Sequence, residues 1–251
     1  MNEENANSRA PFPTTHWSLM FSLRASRHEA MRQRAFEQIC ETYWFPLYAF
    51  ARHRGYAKHD AEDAVQSFFC MVGSEEYFQQ ADQELGKLRT FLLTGFTRYL
   101  KDLNERKNAL KRGGGQIVLS LDVNQAEEWV NGEPIADEAE QVLSFERDWA
   151  FTIIRKAMTT LEQESSSSDK NLERFHALKC FLSPQDAVSA SRDEIARSLG
   201  MTPDACDKAI QRMRNSFRMA VKEIIIGTLK EPNEETIREE MVQLQRALLR
   251  G

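Results

Sequence analysis

Glycine and proline are scarce in this sequence, with 11 and 7 residues respectively among 251. Because turn-rich β folds need both, the shortage favours long helices. No apolar run reaches the roughly 18 residues of a membrane-spanning helix. The polar, acidic segment 1–10 also has no apolar stretch of signal-peptide length. These absences predict an all-α protein in the cytoplasm that does not associate with a membrane.

Clustered metal ligands are absent as well. The four cysteines and five histidines are scattered, with no C-x-x-C pair and no zinc-binding spacing. They predict reduced, buried thiols and neither a metal site nor a cofactor. The glycine run 113–115 follows a helical pattern and lacks the Gly-Lys-Ser/Thr ending of a phosphate-binding loop. Since no nucleophile signature is present either, we predict that the chain is not an enzyme.

Charge is unevenly distributed around the net value of −5. Segment 98–112 has six basic and two acidic residues, and segment 203–222 has five basic and two acidic residues. Between them, segment 122–148 has nine acidic residues and one arginine. This pattern indicates a protein that contacts DNA at two places and binds it poorly by itself.

Hydrophobic periodicity predicts two helical domains joined by an acidic linker. The expected helices span about 29–54 (with Pro46 breaking or kinking the run), 58–72, 87–110, 141–164 and 171–182, with a serine loop at 165–168. The predicted organisation is a disordered tail at 1–13, a first domain at 14–112, a linker at 113–140, a second domain at 141–230 and an amphipathic C-terminal helix at 231–251.

The segment from Ser191 to Lys222 has the pattern of a helix-turn-helix. Ser191 and Glu194 form a capping box for a short helix. Gly200 provides the positive φ that closes it, and Thr202 with Pro203 suits the start of a second helix.

In that second helix the predicted buried stripe consists of Ala205, Ala209, Ile210, Met213 and Phe217. The outward residues that would meet a DNA major groove are Thr202, Asp204, Asp207, Lys208, Gln211 and Arg212, with Arg214, Arg218 and Lys222 as phosphate contacts. An αα-hairpin with a merely solvated basic face is the alternative interpretation. The segment alone does not separate a repressor from other helix-turn-helix proteins.

The helix expected at 58–72 separates into two faces. Its inner side is predicted to contain Ala61, Ala64, Val65, Phe68 and Val72, and its outer side Asp60, Glu62, Asp63 and Gln66. Like charges at such spacing repel each other, so the outer side favours a basic partner. A solvated face that complements the helix dipole is the other interpretation.

Basic and aromatic residues interleave in the third helix, a pattern that suits single-stranded DNA. For DNA contact we expect the outward residues Lys87, Arg89, Thr90, Arg98 and Lys101. Phe91 and Tyr99 lie on the apolar stripe, where core packing is the favoured interpretation over base stacking.

Three segments in this order resemble the sigma factors of the extracytoplasmic-function type. Tyr43-Trp-Phe-Pro-Leu-Tyr-Ala-Phe-Ala-Arg-His-Arg-Gly with Asp60-Ala-Glu-Asp-Ala-Val-Gln-Ser-Phe-Phe resembles sigma region 2, and segment 86–100 resembles the end of that region. The helix-turn-helix resembles region 4. The opening Thr15-His-Trp-Ser and the junction Lys111-Arg-Gly-Gly-Gly are similar to a branch found in planctomycetes and related bacteria.

The resemblance implies partners and roles. Asp60, Glu62, Asp63 and Gln66 would dock on the coiled coil of the β′ subunit of core RNA polymerase. The loop 82–88 and the start of the helix at Arg89 would capture and melt the −10 element, and the helix from Thr202 would read the −35 element of promoter DNA. The linker would thread toward the polymerase active-site channel. An anti-sigma protein is a further partner to consider.

Two positions depart from the family pattern. Ser67 stands where the family usually has an acid, and Asp207 stands where a basic or small residue is more common. An acid can accept a hydrogen bond from cytosine but repels phosphate. These two departures leave a further alternative, a protein that retains the sigma fold but has lost the ability to read promoters. A stand-alone helix-turn-helix regulator is the other alternative.

Overall fold

The computed structural model describes residues 29–73, 87–107, 126–127, 129–130, 134–182, 191–229 and 232–249. Within these residues the secondary structure is helical, apart from turns and one antiparallel β-bridge between Lys87 and Leu229. The all-α prediction is confirmed. The helices are α1 (Glu29–His53), α2 (Lys58–Val72), α3 (Leu88–Lys107), α4 (Glu138–Ser165), α5 (Asp169–Leu178), a 3₁₀ turn (Lys179–Leu182), α6 (Arg192–Ser198), α7 (Pro203–Thr228) and α8 (Glu234–Leu249).

Most helix boundaries agree with the sequence prediction, but two details differ. Helix α1 continues through Pro46, so the predicted break at this residue is wrong. Residues 42–51 are buried on every side, and this packing outweighs the missing proline N–H. The serine loop predicted at 165–168 is a tight turn that starts one residue later, because α4 extends to Ser165, and Ser168 begins α5 by accepting a hydrogen bond from the Asn171 N–H at 3.3 Å.

The main hydrophobic core is built around α1 and α4, which pack along each other. Phe50 of α1 and Phe145 of α4 meet edge to face with ring centroids 6.2 Å apart, and Trp149 is fully buried beside them. The core therefore runs without interruption across the boundary predicted between two domains, and Ala126 and Val130 of the predicted linker are buried in it. The division into two domains remains a prediction.

A second, smaller core lies at the helix-turn-helix. It consists of Leu178, Phe181, Ala196, Cys206, Ala209 and Ile210. Helix α7 belongs to both cores, since its first half packs in the smaller one and Ala220, Val221 and Ile225 lie in the larger one.

The predicted C-terminal amphipathic helix is present as α8 and packs against α4 and α7. Its inner stripe contains Ile237, Leu244 and Ala247, all buried in the main core. No helix among the described residues has both the length and the apolar character that crossing a bilayer requires.

Candidate nucleic-acid and partner interfaces

The two predicted faces of α2 are separated as expected. Ala61, Ala64, Val65, Phe68 and Val72 are buried. On the opposite side, Asp60 and Asp63 are exposed, and Glu62 and Gln66 are half-buried. The Gln66 amide donates to the Glu62 carboxylate at 3.4 Å. The helix thus presents an acidic surface, here called the acidic face of α2, that consists of Asp60, Glu62, Asp63 and Gln66.

The helix-turn-helix also has the predicted local geometry. The Ser191 hydroxyl accepts a hydrogen bond from the Glu194 N–H at 3.4 Å, which starts α6. Gly200 has a φ of +61°, a left-handed conformation that favours glycine. The Thr202 hydroxyl then accepts from the Ala205 N–H at 3.3 Å, and Pro203 occupies the first position of α7. Together these contacts fix the angle between α6 and α7.

The predicted DNA-reading residues of α7 are exposed. They are Thr202, Asp207, Lys208, Gln211, Arg212, Arg214 and Arg218. Within the expected buried stripe, Ala209 and Ile210 are buried, and Ala205, Met213 and Phe217 are half-buried.

Two of these DNA-reading residues have contacts that the sequence did not predict. The Arg214 guanidinium donates to the Phe181 carbonyl through Nε and Nη2, both at 3.1 Å, so it also fastens α7 to the 3₁₀ turn. Asp207 forms an ion pair at 3.1 Å with Arg192 of α6, and both side chains are more than half exposed. An acid on this helix therefore has a structural partner inside the helix-turn-helix.

The start of α3 differs from its prediction. Arg89 was expected to face outward, and this is wrong, because the residue is only 4% exposed. Lys87 is half-buried. The remaining predicted contacts, Thr90, Arg98 and Lys101, are exposed. Phe91 is buried in the core, as the favoured interpretation held, and Tyr99 packs against the core beside Phe68.

Arg89 and Lys87 belong to a compact group of four charges, here called the charge cluster, with Glu146 of α4 and Glu240 of α8. The Glu240 carboxylate forms ion pairs with Arg89 through Oε1 and with Lys87 through Oε2, the latter at 3.1 Å. Arg89 Nε also donates to Glu146 at 3.0 Å. Its guanidinium carbon lies 4.5 Å from the centre of the Trp149 ring.

Burial differs between two members of this cluster. Glu240 is 2% exposed, so a charge on it would depend on the two cations for its stabilisation. Burial, and secondarily the neighbouring Arg89, lower the pKa of Lys87. The cluster is an internal contact between α3, α4 and α8, which are far apart in the sequence.

Arg98 and Lys101 lie elsewhere on α3, at a cleft of about 620 Å³. The opposite wall includes Ile135 and Gln141, from the end of the predicted linker and the start of α4. The Ile135 N–H donates to the His53 carbonyl at 2.8 Å, which holds this wall against α1. These two cations remain accessible to a ligand from solvent.

Sequence reasoning missed Asp148 and Glu240, two buried acids. Burial raises the pKa of Asp148 to about 7, against the opposing effect of Arg147. No described group lies within hydrogen-bonding distance of its Oδ2 atom. Both residues fall on otherwise buried stripes, Asp148 among 141, 144, 145 and 152 and Glu240 among 237, 244 and 247. Helical spacing was therefore the signal that could have identified them.

No protein-family model, no curated protein and no solved structure matches the chain. Its function is therefore inferred from these surfaces and from the order of its motifs.

Proposed function

We propose that the chain is a sigma factor of the extracytoplasmic-function type, which binds core RNA polymerase and directs promoter-specific initiation of transcription. It would act in the cytoplasm without a cofactor and catalyse no reaction by itself. The observation that carries the proposal is the presence, on one chain, of an exposed acidic face on α2 and a capped helix-turn-helix with an exposed basic helix. The order of these two elements is that of the family it resembles.

Each surface has a distinct partner under this proposal. The acidic face of α2 contacts the basic side of the β′ coiled coil, which relieves the repulsion between its neighbouring acids. Helix α7 lies in the major groove of the −35 element, with Lys208, Gln211 and Arg212 toward the bases and Arg218 toward phosphate. Arg98 and Lys101 contact the −10 region. An anti-sigma protein remains a candidate regulator.

Capture of core RNA polymerase by the purified chain tests the proposal. The wild type should retain core enzyme, and the charge-reversed variant Asp60→Lys/Glu62→Lys/Asp63→Lys should not. A matched control, Glu164→Lys/Glu173→Lys/Glu223→Lys, makes the same change of charge on exposed or half-buried acids of other helices and should retain core enzyme.

Two other results would point to the alternatives. If no protein captures core enzyme while the wild type shifts duplex DNA by itself, the chain is a stand-alone helix-turn-helix regulator. If core enzyme is captured but no promoter is transcribed in vitro, the chain has the sigma fold without promoter reading, and Ser67 and Asp207 become the residues to replace.

A further inference from the structure

The charge cluster places an acidic residue of α8 on two of the cations expected to meet single-stranded promoter DNA. Glu240 contributes one carboxylate, and each of its oxygens contacts a different cation, Lys87 or Arg89. A phosphate group of DNA offers cations the same kind of contact, a negative charge shared among oxygen acceptors. Glu240 therefore occupies the place that a phosphate would need.

Leu229, the residue directly after α7, also contacts the start of α3. Helix α7 ends at Thr228, and the next residue, Leu229, forms the β-bridge with Lys87. Helix α8 then begins at Glu234. Both Leu229 and Glu240 therefore contact the start of α3.

A buried ion pair is a poor choice if stability alone is required. Removing charges from water costs several kcal/mol per ion, and apolar residues of similar volume often serve equally well or better. The inner stripe of α8 is otherwise apolar at Ile237, Leu244 and Ala247. Glu240 interrupts that stripe where it meets Lys87 and Arg89. The charge at this position is therefore better explained by its contact with these two cations than by a need for stability.

We propose that α8 is an autoinhibitory element that holds Lys87 and Arg89 away from single-stranded DNA until core polymerase and the promoter displace it. This inference rests on the proposed function. In the displaced state the two cations exchange the Glu240 carboxylate for DNA phosphates, and Arg89 keeps Glu146 as a neighbour on α4.

The test compares wild type, Glu240→Gln and Glu235→Gln. Glu235 lies on the same helix but is exposed, so both variants lose one formal charge from α8. Binding is measured by fluorescence anisotropy with a labelled single-stranded oligonucleotide of random sequence, about 16 nucleotides long. Core-enzyme capture is measured on the same three proteins.

Glu240→Gln should bind the single strand about five- to tenfold more tightly than either of the other proteins, within the usual range of coupling between sites. Affinity for a duplex of random sequence, which depends on α7, should be the same for all three. Equal single-strand affinities of the two variants would overturn the autoinhibitory role alone. Failure of the wild type to capture core enzyme would instead remove the sigma function.

The Glu240→Gln variant should fold, because Arg89 retains Glu146 at 3.0 Å, and its melting temperature checks this. Should it not fold, amide hydrogen exchange of the wild type decides. Exchange in residues 234–249 should accelerate when core polymerase and promoter DNA are added. Unchanged or slower exchange there would overturn the proposal.

Discussion

The start of α3 and the exposed side of α7 both carry basic residues, yet the fold treats them in opposite ways. Arg89 is buried against a tryptophan ring and bonded to two carboxylates. Arg212 on α7 is exposed, and its Nε donates to the carbonyl of Lys208, one turn earlier. Two arginines of basic helices are therefore a core residue in one region and a surface residue in the other.

The difference lies in what packs above each helix. At α3, Glu146 of α4 and Glu240 of α8 contact the guanidinium of Arg89 and offset the free-energy cost of burying it. At α7, Lys208, Arg212 and Arg218 are exposed, so these cations remain in water. A basic residue thus becomes part of the core where the fold supplies counter-charges. Four experiments test the contrast between the two regions.

Replacing Arg89 should have the largest effect. Arg89→Met leaves Glu240 and Glu146 without their main partner, and breaking a buried pair in this way costs about 3–5 kcal/mol of unfolding free energy. Arg212→Met on the exposed helix should change it by less than about 0.5 kcal/mol. Urea denaturation measures both, and similar losses for the two variants would show that the contrast is wrong.

Asp148 tests the converse case, a buried acid without a partner at Oδ2. Its pKa rises from the ordinary 3.8 to about 7 because of burial, so the folded protein binds this proton more tightly than the unfolded chain does. The resulting loss of stability is absent below about pH 4, grows as pH rises and is complete above about pH 7. Asp148→Asn should therefore stabilise the protein by about 4 kcal/mol at pH 8 and little at pH 4.

Thermal or urea unfolding at several pH values measures this effect. Asp102→Asn, on the exposed side of α3, serves as the control and should follow the wild-type pH profile. A constant difference between Asp148→Asn and wild type from pH 4 to pH 8 would mean that Asp148 stays ionised when buried.

The cap of α7 should matter less and only locally. Thr202→Ala removes the acceptor of the Ala205 N–H and should cost about 1 kcal/mol, whereas Thr202→Ser should retain most of the stability. Amide hydrogen exchange should accelerate at residues 203–206 and stay unchanged in α1. Acceleration in both places would indicate that the two hydrophobic cores unfold as one unit.

The smallest effect is expected for the exposed pair of Asp207 and Arg192. A double-mutant cycle with Asp207→Asn and Arg192→Gln should give a coupling energy of about 0.2–1 kcal/mol, because both side chains are solvated. A coupling energy above about 2 kcal/mol would show that this exposed pair behaves like a buried ion pair. Unfolding in urea provides all four free energies of the cycle.

Local features of the fold were predictable from sequence. The bounds of α2, the hydroxyl caps at Ser191 and Thr202 and the turn at Gly200 follow from interactions between residues at most four apart. Side-chain spacing also separated the two sides of α2 correctly. Such features need no knowledge of the rest of the chain.

Contacts between distant segments were not predictable in the same way. Periodicity assigns Arg89 and Glu240 each to one side of its own helix. It does not predict that α8 contacts the start of α3. The continuation of α1 through Pro46 has the same origin, since the packing of the surrounding helices outweighs a local preference. The prediction of which side chains face outward was therefore least accurate where a residue depended on a remote partner.

Helix α7 is long enough to act as a lever between the two hydrophobic cores. At 26 residues it is about 39 Å long, and its two ends are embedded in different hydrophobic cores. A tilt of about 10° at the main core would move the far end by about 7 Å, or two base-pair steps along a DNA duplex. Under the proposed function, small rearrangements around α4 and α8 would therefore change which bases the opposite end of the helix reaches.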